Sequence, residues 1–298
     1  MIEGVAQEMD IETGEVLFEW HSLDHVGVEE SYYEEYYSDQ LDYFHINSID
    51  VDHDDNLLIS ARNTSAVYKI DRRSGEILWR LGGKRSDFEM AEGTRTAFQH
   101  DARRQRDGTI TIFDNGAGPQ VHPRSRGIVV GLDEEAMRAR LVREYAHPEG
   151  LVSTSQGNMQ VLPNGNVFVG WGSEPFVSKF THEGGLLFDA RIPPDDDSYR
   201  SFRFPWKGQP AEAPDVVAGR GSDDEITLYA SWNGATEVEN WEVLAGPHPD
   251  QLEPLGSVPR EGFETAISAR TREPHVAVRA QDSSGRILGT SRSVKPIS

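Results

Sequence analysis

The sequence contains no cysteine, which excludes disulfides, thiolate nucleophiles and cysteine-based metal sites. Lysine is scarce too, at five residues, so most of the 29 basic residues are arginine. No apolar run approaches the ~18 residues of a membrane-spanning helix, so we expect no span in this chain. The first ten residues, MIEGVAQEMD, lack the basic start and apolar core of a signal peptide.

Positive charge is in short supply as well. The formal net charge is −21 and the sequence pI about 4.8. An acidic surface repels phosphate backbones, so nucleic acid is not expected as a partner, although a local basic pocket for a small anion remains open. With 37% hydrophobic residues, the 298-residue chain can still build a sizeable core.

What the sequence does contain is a repeating pattern of short apolar runs, clearest in residues 45–83. Turn residues such as Asp55-Asn56 and Ser74-Gly75 separate the runs, which predicts a four-stranded antiparallel meander. Its runs are Ile46–Val51, Leu57–Ser60, Ala66–Ile70 and Ile77–Leu81.

The same unit recurs along the chain. Complete units are read at 44–83, 98–145 and 156–192, and a half unit at 2–20, where DIETGEVLF matches DRRSGEILW of the first complete unit. Repeats of this length predict a β-propeller. Three and a half blades are too few to close comfortably, so we expect an incomplete propeller, truncated at its N-terminus.

Two stretches interrupt the repeats. In residues 21–44, Tyr32, Tyr33, Tyr36 and Tyr37 fall at helical spacing and favour a helical turn with a packed aromatic face. The carboxylates of residues 50–56 lack the glycine and glutamate of a calcium loop, so a solvated turn is expected there and no metal site is predicted.

The pattern ends at Pro193–Asp197, and the acidic run Asp195–Asp197 within it is expected to be a solvated linker. A Pro-rich segment follows, and then about seven short strands, which predict a small antiparallel β-sandwich. We therefore expect an all-β protein with a propeller domain over residues 1–205 and a sandwich over residues 206–298.

Two histidines occupy equivalent places in the repeat. His45 and His100 each begin the first strand of a unit, and first strands line the channel of a propeller, so the two imidazoles are expected to converge on one pocket. Asn47 shares the inward face by its spacing, and Arg126 starts a third strand from which it could reach inward. Imidazole can act as a nucleophile or a general base, and guanidinium matches sulfate or phosphate oxygens. The competing interpretation is that each histidine is a hydrogen-bonded structural residue.

The runs DYFHINSIDVD, SAVYKIDRRSGEILWRLGG, FQHDARRQRDGTITIFDNG and SRGIVVGLDE resemble the arylsulfotransferase family, in its second subgroup, over residues 2–192. The resemblance implies a six-bladed propeller that moves sulfate between phenols without a nucleotide sulfate donor or other cofactor. It implies that His45, His100 and Arg126 surround the sulfate, and we expect these three as catalytic residues. Asn47, Arg62 and Asn115 are the expected substrate-binding residues.

One family feature is missing. The family's nucleophilic histidine lies in a glycine-rich strand of the next blade, but residues 169–180, VGWGSEPFVSKF, contain none, and nearby His182 falls in a turn. Either His45 or His100 has taken over the role, or the protein only binds.

Two hypotheses remain open at this stage. The first is an enzyme acting on a small phenolic sulfate or another anionic ligand. The second is a non-catalytic extracellular protein that binds glycan or protein, with the sandwich, which resembles fibronectin type III, making the contacts. An extracellular or cell-envelope location is expected from the resemblance, because members of that family are commonly exported.

Overall fold

The computed structural model describes residues 1–33, 36–37, 40–193 and 196–297. Within these residues the regular structure is β-strand apart from two short 3-10 helices, Ser22–Asp24 and Val28–Glu30. The chain divides into two compact units, Met1–Arg203 and Phe204–Ser298. The expectation of an all-β protein, a propeller followed by a sandwich, is confirmed.

The first unit contains seventeen described strands. They are β1 (Val5–Met9), β2 (Val16–His21), β3 (Tyr36–Tyr37), β4 (Gln40–Leu41), β5 (Ile46–Val51), β6 (Leu57–Ala61), β7 (Ala66–Ile70), β8 (Ile77–Gly82), β9 (Glu89–Met90), β10 (His100–Arg104), β11 (Ile110–Asp114), β12 (Arg126–Asp133), β13 (Arg138–Tyr145), β14 (Asn158–Val161), β15 (Val167–Gly170), β16 (Phe176–Phe180) and β17 (Leu186–Arg191).

Three antiparallel meanders organise this unit, in the order β5-β6-β7-β8, β10-β11-β12-β13 and β14-β15-β16-β17. The short strand β9 joins the second meander in parallel beside β13, and β1 and β2 form a separate hairpin. The matching sequences that start at Asp10 and Asp71 adopt the same turn. In each, the aspartate Oδ1 accepts the backbone N–H groups two and three residues ahead.

Successive side chains of the inner strands pack into cores on opposite faces of the sheet, which explains why β6 and β7 are buried along their whole length. Ile59 and Tyr68 pack in the core under the β1-β2 hairpin, with Trp20 and Phe44. Their neighbours Leu58 and Val67 pack against the second meander, with Ile112 and Ile128. A third core joins the second meander to the last one through Phe113, Tyr145, Trp171 and Phe180. Successive sheets are thus stacked face to face in chain order.

The first strands of the first two meanders are tied together by side chains of β5. Asn47 Oδ1, Ser48 Oγ and Asp50 Oδ2 accept the backbone N–H groups of Asp101, Ala102 and Arg104 at 3.3, 3.1 and 2.9 Å. These bonds satisfy three backbone N–H groups of β10 on the edge that faces β5, and they hold the beginnings of the two strands close together.

One local prediction was wrong, because Tyr36–Tyr37 forms a short strand paired with Gln40–Leu41 instead of continuing a helical turn. The turn at residues 53–55 is exposed, as expected, but Asp52 just before it is buried, and Lys69 and Arg104 bind its carboxylate at 3.0 and 2.8 Å. Parts of other predictions, at residues 34–35, 38–39 and 194–195, lie outside the described residues, and they include Asp195 of the acidic run.

The second unit is a sandwich of seven described strands: β18 (Asp215–Arg220), β19 (Glu225–Ser231), β20 (Asn240–His248), β21 (Gln251–Pro259), β22 (Glu264–Arg270), β23 (His275–Gln281) and β24 (Ile287–Thr290). Its sheets have the orders β18-β19-β22 and β21-β20-β23-β24. Their facing sides enclose a core that includes Leu228, Trp241 and Val278. The likeness to fibronectin type III stays a prediction.

Candidate functional site

A cavity of about 420 Å³ lies at the start of the first strands of the meanders. We call it the histidine cavity, because it contains both sequence-predicted histidines. Its lining comprises Ile2, Tyr33, Asp42, His45, Arg62, Asn63, His100, Ser155, Gln156 and Tyr199.

The backbone at this cavity adopts left-handed conformations at three residues that precede first strands. The φ angles are 57° at His45, 54° at Phe98 and 64° at Gln156. Residues other than glycine rarely adopt this region, and such strain persists only where the surrounding structure enforces it. A left-handed residue therefore recurs one or two positions before β5, β10 and β14, and two of these residues, His45 and Gln156, line the cavity.

His100 is buried and its tautomer follows from its partners. Asn115 donates its side-chain N–H groups to the carbonyls of Ser153 and Gln156 at 3.1 and 3.0 Å, so its Oδ1 must be the acceptor for His100 Nδ1 at 2.8 Å. The proton therefore sits on Nδ1. Nε2 keeps its lone pair, which accepts the backbone N–H of Gln156 at 3.2 Å.

The charge of His100 is set mainly by its burial. Loss of solvent lowers the pKa of His100 to about 4, and the nearby positive charges of Arg62 and His45 act in the same direction. At neutral pH the ring is therefore uncharged, with a lone pair on Nε2. This is the state in which imidazole acts as a base or a nucleophile.

His45 is less buried than His100 and is held by a carboxylate. Its Nδ1 lies 2.5 Å from Asp42 Oδ2, and the backbone carbonyl of Asp42 accepts a bond from Asn63. A carboxylate accepts only, so Nδ1 carries a proton and Nε2 is the ring nitrogen left for a ligand.

Arg62 supplies the guanidinium of this cavity. Its Nη1 donates to Asn63 Oδ1 at 2.7 Å, and its Nη2 donates to the Thr154 carbonyl at 3.2 Å. The guanidinium also lies 5.0 Å from the ring centre of Phe98, in a cation–π contact. These bonds hold a planar cation at the wall that His45 and His100 share.

The structure does not bring Arg126 into the histidine cavity. Arg126 stands opposite Asp114 in the β11–β12 ladder, and its Nε binds Asp114 Oδ2 at 2.9 Å. Its Nη1 binds Glu144 at 2.8 Å, so two carboxylates on neighbouring strands fix the guanidinium.

Asn47 is likewise absent from the cavity lining. Its amide nitrogen donates to the Gln99 carbonyl at 2.7 Å, while its oxygen accepts from Asp101, so the whole amide serves the contact between β5 and β10. Asn115 does act at the cavity, but through His100.

Sequence reasoning missed Gln156 and Tyr199. The Tyr199 ring packs edge-on against His100 with centroids 6.2 Å apart. The backbone carbonyl of Tyr199 accepts the Gly157 N–H, and Ser201 bonds both ways with the Asn158 side chain. The segment after β17 therefore returns to the first strand of the last meander, although its composition resembles a linker. Gln156 could have been predicted as a cavity residue from its position, because it precedes the first strand of a meander, as His45 does.

The glycine-rich segment that carries the nucleophile in the resembling family holds Trp171 here, fully buried between β15 and β16. His182 lies in the turn between β16 and β17, as expected, and its Nδ1 is 3.3 Å from the Gly165 carbonyl. It does not line the histidine cavity. In the described part of the chain, no cluster of three or more His, Asp or Glu residues is arranged to hold a metal ion. The described helices include none with the length and apolarity needed to cross a membrane.

Comparison with known proteins gave one family match. The model of a family described as arylsulfotransferase (ASST) matches residues 1–192. No curated protein matches the chain.

Similar solved structures are distant. A protein of unknown function from Bacteroides caccae is 10% identical with a TM-score of 0.40, and the match covers 97% of this chain and 93% of the other. Virginiamycin B lyase from Staphylococcus aureus is 10% identical with a TM-score of 0.35, covering 97% and 76%. A PQQ-bound aldose sugar dehydrogenase from Streptomyces coelicolor is 12% identical with a TM-score of 0.33, covering 84% and 81%.

Proposed function

Because the chain belongs to the arylsulfotransferase family, we propose that the histidine cavity binds an aryl sulfate and passes its sulfuryl group to a phenol. The observation that carries this proposal is the state of His100: a neutral, buried imidazole, protonated on Nδ1, that lines one cavity with an arginine and a second histidine.

In the first half-reaction, His100 Nε2 attacks the sulfur of the aryl sulfate. An N–S bond forms, the S–O bond to the ring breaks, and the electron pair leaves on the phenolate oxygen. The Asn115 carbonyl, 2.8 Å from Nδ1, stabilises the positive charge that then develops on the imidazole ring. In the second half-reaction an acceptor phenol oxygen attacks the sulfur, the N–S bond breaks, and His100 is regenerated.

Arg62 is proposed to bind the sulfate oxygens. Its guanidinium is planar and already oriented by Asn63 and Thr154, so little side-chain freedom is lost on binding. Fixed positive charge near the transferring group stabilises the transition state most when it needs no rearrangement.

His45 is proposed to move the proton. Its Nδ1 is anchored to Asp42, so the imidazolium form of His45 can donate its Nε2 proton to the departing phenolate and then, as the neutral ring, take one from the acceptor phenol. The two half-reactions return His45 to its starting state.

A specific observation favours the second hypothesis, binding without turnover. The Gln156 N–H occupies the Nε2 lone pair of His100 at 3.2 Å, and this bond must open before Nε2 can attack sulfur. If it does not open, the cavity would hold an anion on Arg62 and His45 without chemistry. Contacts with glycan or protein through the sandwich, and an extracellular or cell-envelope location, remain predictions.

The test is the release of p-nitrophenol from p-nitrophenyl sulfate, with phenol in excess, by the full chain. We expect release in the wild type and a loss of ~100-fold or more in His100→Asn. His182→Asn, on an exposed turn, is the matched control and should match the wild type. Mass spectrometry of the protein mixed with donor alone should find a sulfated histidine at position 100. If the protein binds the donor but releases no nitrophenol, the transfer reaction is refuted and the hypothesis of a non-catalytic binding protein is preferred.

A further inference from the structure

A second cavity, of about 270 Å³, lies beside the first in the same unit. Its lining comprises Tyr32, Ser65, Gly82, Gly83, Arg95, Thr96, Ala97, Phe98, Pro119, Val121 and His122. The walls are mostly apolar, and Arg95 is exposed at the edge. Its volume is below the ~300–1,000 Å³ of pockets for drug-sized ligands, so it suits a ligand with a single ring.

His122 is a polar group in this wall, and three contacts hold it in place. Its backbone N–H donates to the Gly116 carbonyl at 2.8 Å. Its ring packs so closely on Gly116 that a Cβ there would lie 2.6 Å from the histidine Cβ, and Gly116 has a φ of 62°. Its Nδ1 lies 2.9 Å from Asp114 Oδ2.

The state of His122 follows from Asp114. This carboxylate is fully buried, and it binds Arg126 Nε at 2.9 Å and the backbone N–H of Ala97 at 2.9 Å. A buried carboxylate paired with an arginine is ionised and only accepts, so it fixes a proton on His122 Nδ1. Nε2 is then the ring nitrogen that remains for a ligand, and in the uncharged ring it is an acceptor.

We infer that this second cavity is a binding site for a small phenol, whose ring lies between Phe98, Val121 and Pro119 and whose hydroxyl donates to His122 Nε2. An aromatic ring matches the apolar walls, and a hydroxyl on that ring matches the acceptor that Asp114 positions. Arg126, which does not reach the first cavity, pairs here with Asp114, the carboxylate that holds His122.

The second cavity shares a wall with the histidine cavity. Phe98 lines the second cavity, and the Arg62 guanidinium that lines the first lies 5.0 Å from the Phe98 ring centre. The inference does not depend on the proposed transfer reaction, because binding of a phenol at His122 requires no sulfate and no chemistry at His100.

The experiment is a fluorine NMR titration of the full chain with 4-fluorophenol and, separately, 4-fluoroanisole, in the absence of any sulfate donor. The anisole has the same ring but cannot donate a hydrogen bond. We expect saturable binding of the phenol, up to about tenfold tighter than binding of the anisole, since a hydrogen bond to the partly buried His122 is worth ~0.5–1.5 kcal/mol. In His122→Phe the preference should vanish, while His182→Phe should keep it.

Other outcomes overturn the inference. Equal affinity of the two ligands in the wild type, or no binding of either, would refute the proposed hydrogen bond to the hydroxyl. This result comes from the wild type alone, so it holds whether or not His122→Phe folds. Phenol binding that is lost in His100→Asn but kept in His122→Phe assigns the phenol to the histidine cavity instead. Failure of nitrophenyl sulfate turnover leaves the titration unaffected, so the two proposals can fail separately.

Discussion

Replacing the buried carboxylate of Asp52 with an amide should remove a stabilising charge whose contribution depends on pH. Asp52 lies between two cations, with Arg104 Nε at 2.8 Å and Lys69 Nζ at 3.0 Å, and its side chain is 3% exposed. Burial alone would raise its pKa, but the bonds from Arg104 and Lys69 outweigh burial and lower the pKa of Asp52 to about 2. Its ordinary value is 3.8.

The magnitude follows from that shift. A pKa lowered by nearly two units corresponds to ~2 kcal/mol of extra stability for the ionised form. Because the pKa is lower in the folded than in the unfolded protein, this contribution is complete above pH ~4. It is lost as the pH falls towards 2. At neutral pH we expect Asp52→Asn to lower the free energy of unfolding by about 3 kcal/mol, since it also leaves two buried cations short of a partner.

The assay is urea unfolding of both proteins, followed by tryptophan fluorescence at several pH values from 7 down to 2. The difference between wild type and Asp52→Asn should shrink by ~2 kcal/mol between pH 5 and pH 2, while the other carboxylates cancel in the comparison. Asp55→Asn is the matched control, because Asp55 is in the same loop but 82% exposed at its side chain, and asparagine tolerates its φ of 70°. A difference that stays constant down to pH 2 would refute the assigned pKa and with it the ion-pair argument.

Three further outcomes are expected. Asn115→Ala should lower the free energy of unfolding by about 2–4 kcal/mol, because it removes three buried hydrogen bonds. The nitrogen chemical shifts of the His100 ring should then show a mixture of tautomers, and a spectrum unchanged from wild type would contradict the tautomer argument. The imidazole resonance of His100 should titrate near pH 4, and nitrophenol release should fall as the pH drops through that value. A midpoint near 6.5 in the folded protein would show that burial does not control this ring. Ile128→Ala should lower the free energy of unfolding, measured in urea, by about 2–5 kcal/mol, because Ile128 is fully buried. Ile49→Ala is the control and should lower it much less, because Ile49 is 39% exposed. Similar losses for the two variants would contradict the packing between the meanders.

Local signals predicted the repeated sheets well. Alternating runs such as Ile46–Val51 and turn residues such as those after Asp71 act over a few residues, so the sequence alone reveals them. The prediction of a helical turn at Tyr36 and Tyr37 was wrong because it depended only on the spacing of four tyrosines. Such a spacing can match a helical period in a segment that has no apolar face to bury. The burial of Asp52 depends on Lys69 and Arg104, which belong to other strands, and no local pattern reveals it.

The candidate site was predictable in part for the same reason. His45 and His100 were found because the beginning of a strand is visible in a repeat. The direction of Arg126 was not predictable, because its cross-strand neighbour Asp114 determines where the guanidinium goes. Arg62 was named among the candidates, whereas Tyr199 reaches the cavity only because the chain returns from β17 to β14, a contact between distant residues.

The end of β11 gives the two cavities a common anchor. Asp114 orients one imidazole and Asn115, the next residue, orients the other, so a single peptide unit links both rings to the same rigid strand. Any substitution, insertion or slip that tilts this peptide would misalign both histidines together. Variation that adapts one cavity to a new ligand is therefore more readily accommodated in the opposite walls, at Tyr199 or Val121, than at this shared dipeptide.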